Sequence, residues 1–212
     1  MKNLLIDTAC HDRIVAVLED DQILAFKQEL NDHTLSSRMV PMIQETLEEA
    51  KIEPSDIDTI YIVTGPGSFT GIRVGVTIAK TYAWALSKKI VPLSELELLA
   101  TTPFVGDYII PYIDARRDYG YTGIYDHTGK VIMKDSHISR ENLLKTIPEN
   151  KKVVFVSNDE IDVPYDVLKP QIDISKMIRR HKMDPGVNPH ECNPNYLKIT
   201  EAEENLLKHD HD

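Results

Sequence analysis

One pattern of strands occurs twice along this chain, and such a duplication restricts the folds that the chain can adopt. The residues Leu5–Thr8 (LIDT) are echoed by Tyr112–Ala115 (YIDA) at an offset of 107. The same offset pairs two further apolar runs, Ile14–Leu18 with Tyr121–Tyr125 and Leu24–Lys27 with Val131–Lys134. Because the offset holds for three consecutive strands, we interpret it as a duplication rather than a chance likeness of short strands. It predicts two similar lobes that face one another.

Apolar spacing within each copy predicts the elements of an α/β fold. In the first copy it predicts the order β-β-β-α-β-α, with elements at Asn3–Asp7, Ile14–Leu18, Ile23–Leu30, Ser36–Lys51, Ile60–Val63 and Gly71–Ser87. The second copy continues with a helix over Arg140–Ile147 and a strand over Lys152–Val156. Five prolines between positions 164 and 194 then interrupt the pattern, which predicts a reduced second lobe. We therefore expect a first lobe over 1–105, a second over 106–192, and a C-terminal segment over 193–212 that could return to the first lobe.

The charge balance limits the classes of partner. The chain has 34 acidic and 24 basic residues and a formal net charge of −10, which argues against a direct grip on a phosphate backbone. Its apolar runs fall well short of the ~20 residues that span a bilayer, and an acid follows the third apolar residue of the first strand, so we expect neither a membrane span nor a signal peptide. The only cysteines, Cys10 and Cys192, are predicted to be reduced thiols of a cytosolic protein.

A glycine-rich segment, Gly65–Gly75 (GPGSFTGIRVG), lies between a predicted strand and a predicted helix. Free N–H groups at such a helix start can hold an anion, and glycines leave room for it. No Gly-Lys-Ser/Thr follows, so the segment is not a Walker loop, and its G-x-G-x-x-x-G spacing is not that of the dinucleotide fingerprint. By chemistry alone, an anion site and a tight turn that binds nothing remain open.

The predicted helix after this segment has a stripe of small residues. Gly71, Gly75, Ala79 and Ala83 recur every fourth residue, and the apolar or small arc is ~200° wide, about twice what a surface helix needs. One explanation is that this helix packs on Ser36–Lys51 within one lobe. The alternative, which we favour, is a docking surface for another subunit. The expected interface residues are Arg38, Met39, Ile43, Gly71, Ile72, Arg73, Gly75, Ala79 and Ala83.

Four motifs together carry a resemblance to a known family. They are His33–Pro41 (HTLSSRMVP), Gly65–Gly75, Ile113–Arg117 (IDARR) and Pro194–Leu197 (PNYL). The chain closely resembles the TsaB (YeaZ) family over residues 1–126 and again near the C-terminus. The resemblance implies the duplicated actin-like (ASKHA, ribonuclease-H-like) fold and a role in making threonylcarbamoyladenosine beside the tRNA anticodon. It also implies a non-catalytic partner of the transferase TsaD, joined by a small ATPase, TsaE, with tRNA contacted only indirectly.

The histidines of the chain also argue against catalysis. The catalytic relative holds a metal with a His-x-x-x-His pair after its glycine loop, whereas this chain has no histidine between His33 and His127. Ser94–Glu97 supplies carboxylates at the wrong spacing and is better interpreted as a helix start with a serine cap. We therefore expect no metal site and no enzymatic activity of the chain alone.

Two alternatives remain open at this stage. A nucleotide-binding protein of the actin-like class would use a phosphate site here formed by Asp7, Gly67, Ser68, Thr70, Asp114 and Arg116. No glycine follows Asp7 or Asp114 within the hairpin turn, so we expect no complete kinase site, and ATP or ADP is left open only for the assembled complex. The second alternative is a structural protein that forms homodimers through the same helices.

Overall fold

The computed structural model describes residues 1–198, which form two five-stranded sheets. The first lobe contains strands β1 (Lys2–Asp7), β2 (Asp12–Glu19) and β3 (Gln22–Leu30), helix α1 (Leu35–Ala50), strand β4 (Thr59–Val63), helix α2 (Phe69–Ala85) and strand β5 (Lys89–Leu93). Strands β1, β2 and β3 form an antiparallel meander, and β4 and β5 extend it in parallel, in the order β3-β2-β1-β4-β5. Helices α1 and α2 both pack against this sheet.

The second lobe repeats this topology in smaller form. After the linking helix α3 (Glu95–Leu99) come strands β6 (Tyr108–Asp114), β7 (Tyr119–Asp126) and β8 (Val131–Ser139), helix α4 (Arg140–Thr146), and strands β9 (Val153–Val156) and β10 (Val167–Leu168). Their order, β8-β7-β6-β9-β10, matches that of the first sheet. The predicted duplication and α/β class are confirmed.

The second lobe is reduced at two places. Within the described residues no helix stands between β9 and β10, where α2 stands in the first lobe, and β10 is only two residues long. The first lobe therefore carries a helix pair that the second lobe lacks.

The chain returns to the first lobe earlier than the expected position 193. Helix α5 (Ile174–His181) follows β10 and buries Ile174, Met177 and Ile178 in the core of the first lobe. This spacing places all three on one face of a helix, a signal that the neighbouring prolines obscured. Further along, the Asn195 N–H donates to the Thr64 carbonyl oxygen over 2.8 Å. Residues 199–212, the rest of the predicted C-terminal segment, lie outside the described residues.

Among residues 1–198, no helix has the length and apolar composition needed to cross a membrane.

Candidate functional site

The glycine-rich segment packs against the turn that joins β1 to β2. A Cβ atom added at Gly67 would lie 2.1 Å from the Ala9 carbonyl oxygen, and one at Gly71 would lie 2.1 Å from that of Thr8. At Gly75 it would lie 2.2 Å from Thr8 Oγ1. Three glycines of the motif are therefore required by close contact with one turn of the same chain.

The same contact occupies hydrogen-bond donors of the segment. The Ser68 N–H donates to the Ala9 carbonyl oxygen (2.6 Å), and the Gly71 N–H donates to the Ser68 hydroxyl oxygen (3.2 Å). The Thr8 hydroxyl in turn donates to the Gly71 carbonyl oxygen (2.7 Å). Packing thus accounts for this motif more fully than anion binding does.

The residues predicted to bind an anion do not meet at one place. Gly67, Ser68, Asp114 and Arg116 line a cavity of about 650 Å³ between the two lobes. Thr70 is exposed and is not among the lining residues, and Asp7 lines a separate cavity of about 300 Å³. The structure therefore brings four of the six predicted anion-binding residues to one cavity.

Asp7 and Glu95 form a buried pair of carboxyl groups at the junction of the lobes. Asp7 ends β1, Glu95 begins α3, and their side chains are 2% and 4% exposed. Burial raises the pKa of both groups, and the neighbouring Asp7 carboxyl group raises the pKa of Glu95 further. Glu95 Oε2 accepts no hydrogen bond from an N–H or O–H group of the described residues, as expected if Glu95 holds the proton that it shares with Asp7.

This pair argues against the alternative, left open by the sequence, in which Asp7 contributes to a phosphate site. The Asp7 Oδ1 atom accepts the Ala9 N–H (2.8 Å), and the rest of the carboxyl faces another acid. A phosphate placed there would meet the negative charge that remains on Asp7 when Glu95 holds the proton, and would be repelled. Burial among these acids also raises the pKa of the Cys10 thiol.

Glu95→Gln is expected to flatten the pH dependence of stability. The pKa of the Glu95 carboxyl group is raised in the folded state. Its contribution to stability is therefore complete below the unfolded-state pKa of about 4.3 and is lost as the pH rises through the folded-state pKa. The amide cannot lose that proton and can still donate to Asp7. Urea unfolding between pH 5 and 9 should therefore show a smaller loss of unfolding free energy for the variant than for the wild type. The exposed Glu48→Gln serves as control, and equal slopes for Glu95→Gln and the wild type would contradict the shared proton.

The predicted docking stripe is buried inside the first lobe, so that prediction is wrong for most of its residues. The buried members are Met39, Ile43, Gly71, Ile72, Gly75, Ala79 and Ala83. They face the first sheet, and residues with no free surface cannot contact another subunit. Of the two predicted rim residues, Arg38 is half-buried between Glu29 and Glu45, and Arg73 is exposed.

A different face of the helix pair is open to solvent. Val40 on α1 is 45% exposed, and Tyr82 on α2 is half-buried. Both line a groove of about 610 Å³, the α1–α2 groove, whose other lining residues are Gln44, Leu47, Glu48, Lys51, Ile52, Glu53 and Pro54. On the same side of α2, Val74 and Ile78 are half-buried apolar residues. Sequence spacing indicated that the apolar arc was too wide for one contact, but it did not show which half faced inward.

The described residues contain no group of three or more His, Cys, Asp or Glu side chains that could hold a metal ion. Ser94 caps α3 through its hydroxyl, which accepts the Glu97 N–H over 3.3 Å, so the predicted serine cap is confirmed.

Comparisons with known proteins match most of the chain. A family model described as tRNA N6-adenosine threonylcarbamoyltransferase (TsaD) matches residues 28–198. The Bacillus subtilis protein named tRNA threonylcarbamoyladenosine biosynthesis protein TsaB is 30% identical over 221 residues, covering 96% of each chain. The Persephonella marina tRNA N6-adenosine threonylcarbamoyltransferase is 27% identical over 142 residues, which is 59% of this chain and 41% of that protein.

A solved structure supports the fold over nearly the whole chain. The structure of YeaZ from Pseudomonas aeruginosa superposes with a TM-score of 0.79 at 22% identity, covering 92% of this chain and 99% of that one.

Proposed function

The chain belongs to the TsaB family, and from this membership together with the α1–α2 groove we propose that it is a non-catalytic subunit in the formation of threonylcarbamoyladenosine in tRNA. It acts as a scaffold and activator by forming a heterodimer with a TsaD-type transferase. The modified adenosine stands beside the anticodon.

The open face of the helix pair is the observation that carries this proposal. It combines an exposed Val40, half-buried Val74 and Ile78, and a groove of about 610 Å³. Apolar area of this kind is typical of a surface that is covered in an assembly. The second lobe lacks the equivalent of α2, so within the described residues this paired surface exists only on the first lobe.

Shared ancestry makes a transferase a suitable partner. The chain is similar both to TsaB proteins and to transferases, so a transferase of the same fold would present an equivalent helix pair. The groove is bordered by charges of both signs, Glu48 and Glu53 beside Lys51, so an equivalent groove on the transferase could meet it with opposite charges paired.

The arrangement of the buried acids supports the non-catalytic part of the proposal. Asp7 and Glu95 line the smaller cavity of about 300 Å³, and neither carboxyl group lines the larger cavity between the lobes, where a substrate would have more room. We extend the proposal to a TsaE-type ATPase as a further partner. When the transferase is absent, the chain would form a homodimer through the same face. The complex would act in the cytoplasm. ATP or ADP would bind only in the assembled complex.

An assay of threonylcarbamoyl transfer tests the proposal. The chain alone should form no modified adenosine, and its addition to the TsaD-type transferase of the same cell should raise the rate at least tenfold, saturating at one chain per transferase. A transferase equally active without the chain, or activity of the chain alone, would contradict the proposed role.

A further inference from the structure

A second surface lies on the side of α2 that is turned away from α1. Phe69, Arg73, Lys80 and Trp84 follow one another at intervals of four, seven and four residues, which places them on one face of the helix. The C-terminal part of the described chain borders this face through Tyr196 and His190. We call Phe69, Arg73, Lys80, Trp84 and Tyr196 the α2 strip.

One end of the α2 strip is an ordered aromatic stack. The rings of Phe69 and Tyr196 are parallel within 5°, with centroids 4.2 Å apart, and both side chains are exposed. The Arg73 guanidinium lies 4.8 Å from the Phe69 ring centroid, and its Nε donates to the Tyr196 hydroxyl oxygen over 2.8 Å. A cation is thus held directly beside two stacked rings.

The other end presents the only tryptophan of the chain. Trp84 is 65% exposed and forms one wall of a cavity of about 460 Å³ with Pro189 and His190. Lys80 lines the same cavity, and its Nζ donates to the His190 carbonyl oxygen over 3.1 Å. Such a large exposed aromatic surface adjoining a cavity indicates a binding position for a flat apolar group.

The charge of this region is opposite to that of the whole protein. The sequence from Thr59 to Ser94 contains no acidic residue but has four basic ones, Arg73, Lys80, Lys88 and Lys89, in a chain of net charge −10. No salt bridge joins Arg73 or Lys80 to a carboxylate among residues 1–198. The α2 strip therefore has two cations that no carboxylate of residues 1–198 neutralises.

We infer that the α2 strip binds a single-stranded segment of RNA. Bases would stack on Trp84 and on the Phe69–Tyr196 pair, while Lys80 and Arg73 contact phosphates between them. From Phe69 to Trp84 the helix rises about 22 Å, which suits a short strand of a few nucleotides. An acidic protein segment would match the charges but would not need exposed aromatic side chains at two separate places, each beside a cation.

The inference rests on the proposed function only for the choice of RNA over DNA. It also revises the expectation that tRNA is contacted only indirectly. That expectation used the net charge of the whole chain, whereas the region around the α2 strip contains no acidic residue. The strip and the α1–α2 groove lie on different sides of α2, so their occupants can be tested separately.

Trp84 fluorescence gives the direct test, because this tryptophan is the only one in the chain. A ten-nucleotide uridine RNA titrated into the full chain at 50 mM salt should quench the emission with saturation. Two phosphate contacts predict a slope of about −1.4 for log affinity against log salt. Lys80→Glu should weaken binding at least tenfold and lower the slope to about −0.7, whereas Lys134→Glu, an exposed change of the same charge in the second lobe, should bind as the wild type does. Trp84→Ala, measured by anisotropy of labelled RNA, should also bind at least tenfold more weakly.

Three results would overturn the inference: no quenching by the RNA up to 1 mM, equal weakening by Lys80→Glu and Lys134→Glu, or quenching as strong by a ten-residue glutamate peptide. Failure here is distinct from failure of the proposed function. Lys80→Glu should still form the heterodimer with the transferase, and a variant that blocks the α1–α2 groove should still bind the RNA.

Discussion

Gly75→Leu should strongly destabilise the protein. A Cβ atom at this position already lies 2.2 Å from Thr8 Oγ1 and 3.3 Å from Ile62 Cδ1, both in the core of the first lobe. Leucine must push α2 away from β1, and the hydrogen bond from the Thr8 hydroxyl to the Gly71 carbonyl oxygen would be lost. Overpacking and buried unpaired polar groups together cost about 4 kcal/mol, a large part of the roughly 5–15 kcal/mol that stabilise a domain.

The matched control for this prediction is Thr77→Leu on the same helix. Thr77 is exposed, and leucine is the better helix former, so that variant should unfold at nearly the same urea concentration as the wild type. Circular dichroism and urea unfolding measure both variants. A folded Gly75→Leu of wild-type stability would mean that the small-residue stripe lies on the surface after all, as its sequence pattern alone suggested.

Val40→Glu should weaken association with the transferase partner about 100-fold while leaving the monomer folded. Val40 lines the α1–α2 groove and is 45% exposed, so glutamate is hydrated in the free chain. In the heterodimer its charge would be buried beside Glu48 without a partner. A penalty of about 3 kcal/mol corresponds to roughly 100-fold weaker association.

Val131→Glu provides the comparison, because Val131 is 48% exposed on β8 of the second lobe. It makes the same chemical change at nearly equal exposure, away from the helix pair, and should associate as the wild type does. Equal binding by both variants would show that the groove is not the contact surface, whereas equal loss would show a general effect of charge.

The sequence predicts the strands and helices of the first lobe well, because each has its own periodicity and turn residues. Helix α1 was expected over Ser36–Lys51 and lies at Leu35–Ala50, and the serine cap at Ser94 is present. Helix α5 was missed, since its eight residues lie among prolines and its burial depends on a distant sheet. A local sequence pattern does not indicate a contact between segments that are far apart along the chain.

The candidate site was harder to predict. Small residues spaced along a helix indicate that another segment packs closely against the helix, but they do not indicate which segment it is. The stripe of Gly71 and Gly75 indicated a contact without bulk, and the contact turned out to be the β1–β2 turn of the same lobe. Likewise a phosphate site was left open for Asp7, and its pairing with Glu95 depends on the placement of α3 next to the end of β1. In both cases the residue type indicated a special environment, but the sequence did not indicate which residue would lie beside it.

Docking on the transferase can be measured by analytical ultracentrifugation of the purified chain, alone and mixed with the TsaD-type transferase of the same cell. We expect the mixture to sediment as a one-to-one heterodimer, any homodimer of the chain to dissociate and form it, and Val40→Glu to weaken it about 100-fold. Two unchanged boundaries in the mixture would contradict the claim that this chain acts by docking on the transferase.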